Sequence, residues 1–246
     1  YYLAKIQIIL EFTNYTFALL HKNAIFVLSH KNILLMGYYI FTYGVKTPEI
    51  KAVFGSKDEA LLQKVKANDV FQNYAEQNQE TSQALIDIIM GNPYSLEDYH
   101  YGYAFIGICA TLGETLPKTQ EIKLGYITDL INQTVAEDYD IEIDIEAELF
   151  PADYADPFPL PLIADFPMID LLDKKRLEHI ASLFAKVHKT ENEIEAMLDG
   201  DDDEKGFAYE AIMGLKENID FCLKNKLDMV VFAISEKIKN QLFRNS

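Results

Sequence analysis

The amino-acid sequence predicts an α+β fold, in which several helices pack on a small mixed or antiparallel sheet. Three segments carry a strand signal. Residues 38–45 are rich in aromatic and β-branched residues, residues 139–149 alternate strictly between apolar and acidic residues, and residues 229–234 are an almost continuous apolar run. The apolar residues between these segments recur at helical spacing without a regular strand–helix alternation, which favours an α+β arrangement over repeated β-α-β units.

The first strand is followed by clear helix signals. Short helices are predicted to begin at Thr47, where a threonine cap precedes Pro48, and at Ser56, which opens a capping-box pattern. A further helix is expected after Ser95 and Asp98, carrying apolar residues to position 110. Longer helices are predicted over residues 70–79, 81–90, 125–136, 173–198 and 207–225.

The segment from Tyr139 to Leu149 gives the clearest strand pattern in the chain. A period of two places its apolar residues on one face and its acidic residues on the other. The acidic face is a candidate partner-binding surface, and its alternative role is to keep the sheet soluble. The proline-rich stretch that follows, residues 151–168, is expected to be an extended connection. The candidate surface consists of Asp140, Glu142, Asp144, Glu146 and Glu148.

The overall charge of the chain is strongly negative. It has 246 residues, with 22 basic and 39 acidic side chains and a formal net charge of −17. Such a surface repels phosphate backbones and anionic membrane surfaces, so we expect neither a nucleic-acid partner nor a membrane partner. A basic protein would be attracted, and simple solubility is the alternative explanation of the charge.

The first 35 residues differ in composition from the rest of the chain. They contain no Gly, Pro or Asp, and the first methionine is Met36. We interpret residues 1–35 as translated upstream sequence outside the fold, and residues 36–246 as a single α+β domain. A signal peptide or a membrane span fits less well, because Lys5 and Glu11 interrupt the apolar run.

The two cysteines, Cys109 and Cys222, each lie within an apolar helical pattern. They form neither a C-x-x-C pair nor a zinc-binding spacing. We therefore predict two buried thiols in a reducing compartment, the cytoplasm.

Tyr99, His100 and Tyr103 are the candidate pocket residues. Together they would line a polar pocket, and an ordinary helix flank is the alternative. The other two histidines after Met36, His179 and His188, lie nine residues apart on one predicted helix, so they point to opposite sides and cannot share a metal ion.

The acidic loop near residue 200 is the closest approach to a metal-binding motif. Counted from Asp199, an EF-hand pattern places Asp201, Asp203 and Glu210 at further ligand positions. Position 6, where the motif needs glycine, is Glu204. We therefore predict no metal site, and no phosphate loop or dinucleotide fingerprint indicates a cofactor.

Several stretches resemble an uncharacterised bacterial family known only as a domain of unknown function. They are Met36–Val45, Tyr101–Cys109, Pro159–Asp170 and Phe221–Phe232. The chain is also similar in outline to the YfbM-like proteins. The resemblance covers about residues 36–235 and implies a bacterial cytoplasmic protein starting at Met36, with no activity or catalytic residue to carry over.

Two functions remain open from the sequence. The favoured one is a non-catalytic interaction protein that engages a basic protein through its acidic surface, as immunity or antitoxin-type inhibitors do. The alternative is an enzyme or small-ligand binder with a pocket of tyrosines and carboxylates. Nothing in the sequence indicates an oligomeric state.

Overall fold

The computed structural model describes residues 38–118, 122–151 and 157–235. All of them belong to the compact unit Tyr38–Ser246. The interpretation of residues 1–35 as upstream sequence lies outside the described residues.

Four strands and ten helices make up the described part of the chain. The strands are β1 (Tyr38–Val45), β2 (Ile122–Lys123), β3 (Met168–Leu172) and β4 (Asp228–Ser235). The helices before β2 are α1 (Thr47–Lys51), α2 (Glu59–Lys66), α3 (Asp69–Gln77), α4 (Gln79–Met90) and α5 (Asp98–Leu112). Those after β2 are α6 (Tyr126–Tyr139), α7 (Ile145–Leu149), α8 (Lys174–Leu183), α9 (Glu191–Leu198) and α10 (Asp203–Asn225).

The strands form one antiparallel sheet in the order β2-β1-β4-β3. Along the β1–β4 ladder, Tyr38 lies opposite Ser235 and Val45 lies opposite Asp228. β3 pairs with the other edge of β4, where Asp170 lies opposite Val231. The predicted α+β class is therefore confirmed, and β1 and β4 are two of the three strands that the sequence indicated.

The helices cover both faces of this sheet. Val230, Phe232 and Ile234 of β4 pack with α1–α5, whereas the alternate residues of β4 pack with α6–α10. Since side chains alternate along a strand, a central strand covered on both faces must be apolar at nearly every position. This layering explains the continuous apolar run of β4.

Helix α5 is the centre of the first layer. Its residues 100–109 are all buried. Two glycines allow neighbours to approach it closely: a Cβ at Gly102 would lie 2.6 Å from Cγ of Pro167, and one at Gly107 would lie 2.7 Å from Cδ2 of Phe71. The tyrosine- and glycine-rich sequence of α5 therefore reflects packing on all sides of the helix.

The predicted strand over residues 139–149 is wrong. Helix α6 continues through Tyr139, and Asp140 ends it in a left-handed conformation with φ of 57°. Asp144 then caps α7, its side chain accepting a hydrogen bond from the backbone N–H of Ala147. Ile145 and Leu149 are both buried one helical turn apart, so their spacing fits a short helix as well as a strand.

The predicted helix over residues 173–198 is two helices. α8 ends at Leu183 and α9 begins after Thr190, which forms a capping box with Glu193. Lys216 from α10 donates hydrogen bonds to the carbonyl groups of Phe184 and Val187. Carbonyl groups at the end of a helix have no partner within the helix. Here the ammonium group of Lys216, from a distant part of the chain, supplies the donor that these carbonyls need.

Strand β3 was not predicted. It lies directly after the proline-rich connection, and its five residues carry too short a pattern to indicate a strand alone. Residues 157–167 contain no helix or strand, as the proline spacing predicted. Within the described residues, no helix has the length and apolar character needed to cross a membrane.

Candidate functional site

The five predicted surface carboxylates do not share one face of a sheet. Asp140, Glu142 and Asp144 are exposed, whereas Glu146 and Glu148 are only partly exposed on α7. Because residues 145–149 are helical, their side chains turn away from the direction that a strand would give. The predicted acidic strand face is therefore incorrect, although its first three carboxylates do face solvent.

The two partly buried carboxylates have different surroundings. Burial raises the pKa of Glu146, and the nearby charges of Asp144 and Asp129 raise it further. The carboxylate of Glu148 lies 3.5 Å from Nε2 of His179. The hydroxyl of Thr128 on α6 lies 3.5 Å from Oε2 of Glu146 as a hydrogen-bond donor, so Glu146 contacts α6 and Glu148 contacts α8.

A second acidic segment lies beside the end of α6. Lys205, in the first turns of α10, places its Nζ atom 2.8 Å from Oδ1 of Asp138 and 3.3 Å from Oε2 of Glu137. The hydroxyl of the fully buried Tyr209 donates a 2.5 Å hydrogen bond to Oδ2 of Asp138. These bonds hold the acidic stretch after α6 next to the acidic loop that precedes α10.

We call residues 137–142 and 199–205 together the acidic end. Its carboxylates are Glu137, Asp138, Asp140, Glu142, Asp199, Asp201, Asp202, Asp203 and Glu204, and its one lysine is Lys205. All of these carboxylates belong to exposed residues, and Lys205 is partly exposed. The sequence showed both acidic runs but could not show that the fold brings them together across the intervening residues 143–198.

Two carboxyl groups of the acidic end have a lowered pKa. Hydrogen bonds from Lys205 and Tyr209 lower the pKa of Asp138. Hydrogen bonds from Gln133 and Lys205 lower the pKa of Glu137. Lys189 lies beside this cluster, with its Nζ atom 5.0 Å from the ring centroid of Tyr209. Even with both lysines counted, negative charge prevails.

The three candidate pocket residues lie together in the structure, where His100 and Tyr103 are buried and Tyr99 is 37% exposed. His100 is fully buried, with the ring of Tyr99 at 4.1 Å, and Tyr103 stacks on Tyr74 at 5.0 Å. Nε2 of His100 lies 2.9 Å from the carboxylate of Glu80. Neither ring nitrogen of His100 makes a hydrogen bond within the described residues. The His100 ring and the Glu80 carboxylate are therefore close enough for an ion pair, but they are not aligned for a hydrogen bond.

The metal-site predictions can be compared with the local structure. The loop between α9 and α10 contains only residues 199–202, and Glu210 lies within α10. A twelve-residue EF-hand loop is therefore not formed. His179 and His188 are not on one helix, since α8 ends at Leu183. The described residues contain no group of three or more His, Cys, Asp or Glu that could hold a metal ion.

A groove of about 1040 Å³ runs between α9, α10 and the chain around β2. Gly206 allows α9 and α10 to approach, because a Cβ there would lie 2.8 Å from Cδ2 of Leu198. Phe207 lines the groove and remains 41% exposed. The sequence analysis missed this feature; the only local signal was a phenylalanine soon after the acidic run 201–204.

A smaller cavity of about 330 Å³ lies under the proline-rich connection. Asp165 and Asp170 contribute its carboxylates, and Asp170 is only 6% exposed. Burial raises the pKa of Asp170 to about 6, and the N–H of Leu171 and the charge of Arg176 offset part of this effect. The carboxyl group of Asp170 therefore titrates well above the range of an ordinary aspartate.

Comparison with known proteins identifies the family. The model of the family described as "Domain of unknown function (DUF7691)" matches residues 36–233. Comparisons with curated proteins and with solved structures gave no significant match. The chain belongs to the DUF7691 family.

Proposed function

We propose that this member of the DUF7691 family is a non-catalytic binding domain whose acidic end receives a basic protein. The observation that carries the proposal is the set of bonds from Lys205 and Tyr209 to Asp138, which joins two acidic segments into one surface. Nine carboxylates and one lysine on this surface present a concentrated negative potential.

The physical effect of such a surface is on encounter and partner choice. A patch of one sign of charge attracts a partner of the opposite sign and raises its association rate. Exposed charges are screened by salt, with a Debye length of about 8 Å at physiological ionic strength. Binding through the acidic end should therefore weaken steeply as salt is added.

The finer parts of the proposal concern setting and partner. We place the protein in the bacterial cytoplasm, where its two buried, unpaired cysteines would stay reduced. An immunity-like or antitoxin-like role fits a domain that neutralises a basic protein by covering it. We further propose that the fold is similar in outline to that of the YfbM-like proteins.

The test compares two charge-reversed variants of equal net charge. One is Glu142→Lys with Asp201→Lys, which changes both segments of the acidic end. The matched control is Glu76→Lys with Glu97→Lys, which changes one exposed carboxylate within α3 and one directly before α5, both in the layer on the other side of the sheet. Each immobilised protein is incubated with a bacterial lysate at low salt, and captured proteins are quantified by mass spectrometry.

We expect the wild-type protein and the control to enrich the same basic protein, and the acidic-end variant to lose it. Added salt should release that protein from both. If the two variants capture the same proteins in equal amounts, net charge alone explains the enrichment, and the proposed function is wrong. Circular dichroism spectra of all three proteins show whether each variant is folded.

Small-ligand binding is the second candidate, favoured by the buried carboxyl group of Asp170 beside a cavity. Apolar walls with one or two charged groups are typical of sites for small molecules. A panel of small organic amines, tested by thermal shift at neutral pH, would support this candidate if one amine stabilises the wild-type protein but not Asp170→Asn. An equal shift for both proteins would exclude the site.

A further inference from the structure

The groove between α9 and α10 has an apolar interior and a charged rim. Its apolar lining comes from three parts of the chain: Ile122 and Ile127 near β2, Ile194 and Leu198 on α9, and Phe207, Ala211 and Met213 on α10. Its rim carries five carboxylates and three lysines: Glu191, Glu195, Glu210, Glu217, Asp220, Lys118, Lys189 and Lys216.

Two of the rim lysines are already engaged. Nζ of Lys118 lies 3.6 Å from the carboxylate of Glu191 and 3.7 Å from that of Glu217. Lys216 donates to backbone carbonyls in the break after α8. Lys118 in turn engages two of the five carboxylates, so the rim as a whole has two more carboxylates than lysines, a modest excess that favours a positively charged occupant.

The groove is continuous with the acidic end. Leu198 is the last residue of α9 and Phe207 lies in the first turns of α10, and both line the groove. The loop 199–202 and the first residues of α10 connect them, so the acidic end borders one mouth of the groove. A partner attracted by the acidic end would therefore meet an apolar surface directly beside it.

The size of the groove fits a helix. An α-helix with side chains has a diameter of about 10–12 Å, so three turns occupy roughly 1,300–1,800 Å³. The groove holds about 1040 Å³, which accommodates more than half of such a segment while its polar side stays in solvent. An amphipathic helix with its apolar face in a hydrophobic groove is a common mode of peptide recognition.

We infer that the groove binds a basic amphipathic helix of the partner protein, with its apolar face against Phe207 and its lysine or arginine residues over the carboxylate rim. This inference rests on the proposed function and specifies its partner. The acidic end provides long-range attraction, and the groove provides the apolar contact that decides which basic segment stays bound.

The test uses two synthetic peptides of leucine, lysine and alanine, each about five helical turns long. In one, the leucines recur at helical i, i+4 and i+7 spacing; the other has the same composition in scrambled order. Binding to the full chain is measured by fluorescence anisotropy. We expect the amphipathic peptide to bind about tenfold more tightly than the scrambled one, since only it can place all leucines in the groove.

Two groove variants and one matched control locate the binding site. Phe207→Ala removes an aromatic group from the groove and should weaken binding of the amphipathic peptide about fivefold or more. Ala211→Phe fills the groove and should do the same. The control, Leu162→Ala, truncates a side chain that is 77% exposed and does not line the groove, and it should leave binding unchanged.

Several results would overturn the inference. Equal binding of the two peptides, or no effect of Phe207→Ala, would show that the groove does not read an amphipathic helix; salt-dependent capture through the acidic end would survive that result. A wild-type dimer that Phe207→Ala dissociates would identify a second copy as the occupant. Failure of the full chain to bind either peptide would show that the groove is closed to a partner helix.

Discussion

Replacing Asp170 by asparagine should stabilise the protein at neutral pH. The side chain lies on β3 next to the central strand and is 6% exposed. Its Oδ1 atom accepts a 2.6 Å hydrogen bond from the N–H of Leu171, and an asparagine oxygen can accept the same bond. The substitution therefore keeps the shape and the hydrogen bond and removes the buried charge.

The magnitude follows from the pKa of Asp170, which rises from its ordinary value of 3.8 to about 6. At a pH between these two pKa values, the folded chain holds a proton on Asp170 that the unfolded chain has released. The free energy of unfolding therefore falls as the pH rises through this range and is constant above it. The full difference between the two pKa values corresponds to a loss of about 3 kcal/mol in the free energy of unfolding, of which about 1 kcal/mol is already lost at about pH 4.5.

Urea unfolding of the wild-type and Asp170→Asn proteins, followed by circular dichroism, measures this difference. The variant should be more stable by about 1 kcal/mol at about pH 4.5 and by about 3 kcal/mol at about pH 7.5. Asp220→Asn is the matched control: it removes one charge from an exposed position on α10 and should show no comparable pH dependence.

A variant that is less stable than the wild type at neutral pH would refute this reasoning. It would mean that the attraction between the Asp170 carboxylate and Arg176 outweighs the cost of burial. A stability difference that does not change with pH would also refute it, because the titration of Asp170 would then contribute nothing.

Three further predictions follow from close contacts in the structure. Gly102→Ala should destabilise the protein by about 1–3 kcal/mol in urea unfolding, because the new Cβ would lie 2.6 Å from Cγ of Pro167; an unchanged midpoint would show that the proline-rich connection adjusts freely. Tyr209→Phe should cost about 1–2 kcal/mol by removing the hydrogen bond to Asp138. Since this bond lowers the pKa of Asp138, the loss should shrink as the pH falls through that pKa. Both cysteine thiols should resist labelling in the native state, because burial raises their pKa values; rapid labelling without urea would contradict their burial.

The helices and the two long strands were largely predictable from local sequence. The capping residues were less predictable: Lys46 and Glu97 precede α1 and α5 without a side-chain cap, where caps at Thr47 and near Ser95 were expected. Asn68 and Thr190, whose side chains do accept backbone N–H groups of the first turn, were not identified as caps. The capping box predicted at Ser56 was displaced by two residues, since Asp58 caps α2 instead. A capping interaction is nevertheless local, because it joins residues two or three positions apart.

The candidate site was less predictable, because its parts come from distant positions. The acidic runs were visible, but the Lys205–Asp138 bond joins residues 67 positions apart. The burial of His100 was also missed: its sequence neighbours indicated a helix flank, whereas α5 is covered on all sides. In both cases the deciding contact is made by a residue that local patterns cannot identify.

The sequence by itself determined the fold class, the apolar strand β4, most helix positions and the negative charge of the surface. The tertiary structure decided that residues 140–144 stay outside the sheet and that Ile145–Leu149 form α7. The alternation of apolar and acidic residues fits a strand, and it also fits an extended segment followed by a short helix. In the helix, Ile145 and Leu149 lie on one face because they are four positions apart. What selected the helix is the packing around it: Asn132 of α6 accepts the N–H of Ile145, and Arg176 of α8 donates to the carbonyl of Glu148. These partners satisfy backbone groups that a strand would have paired with a neighbour.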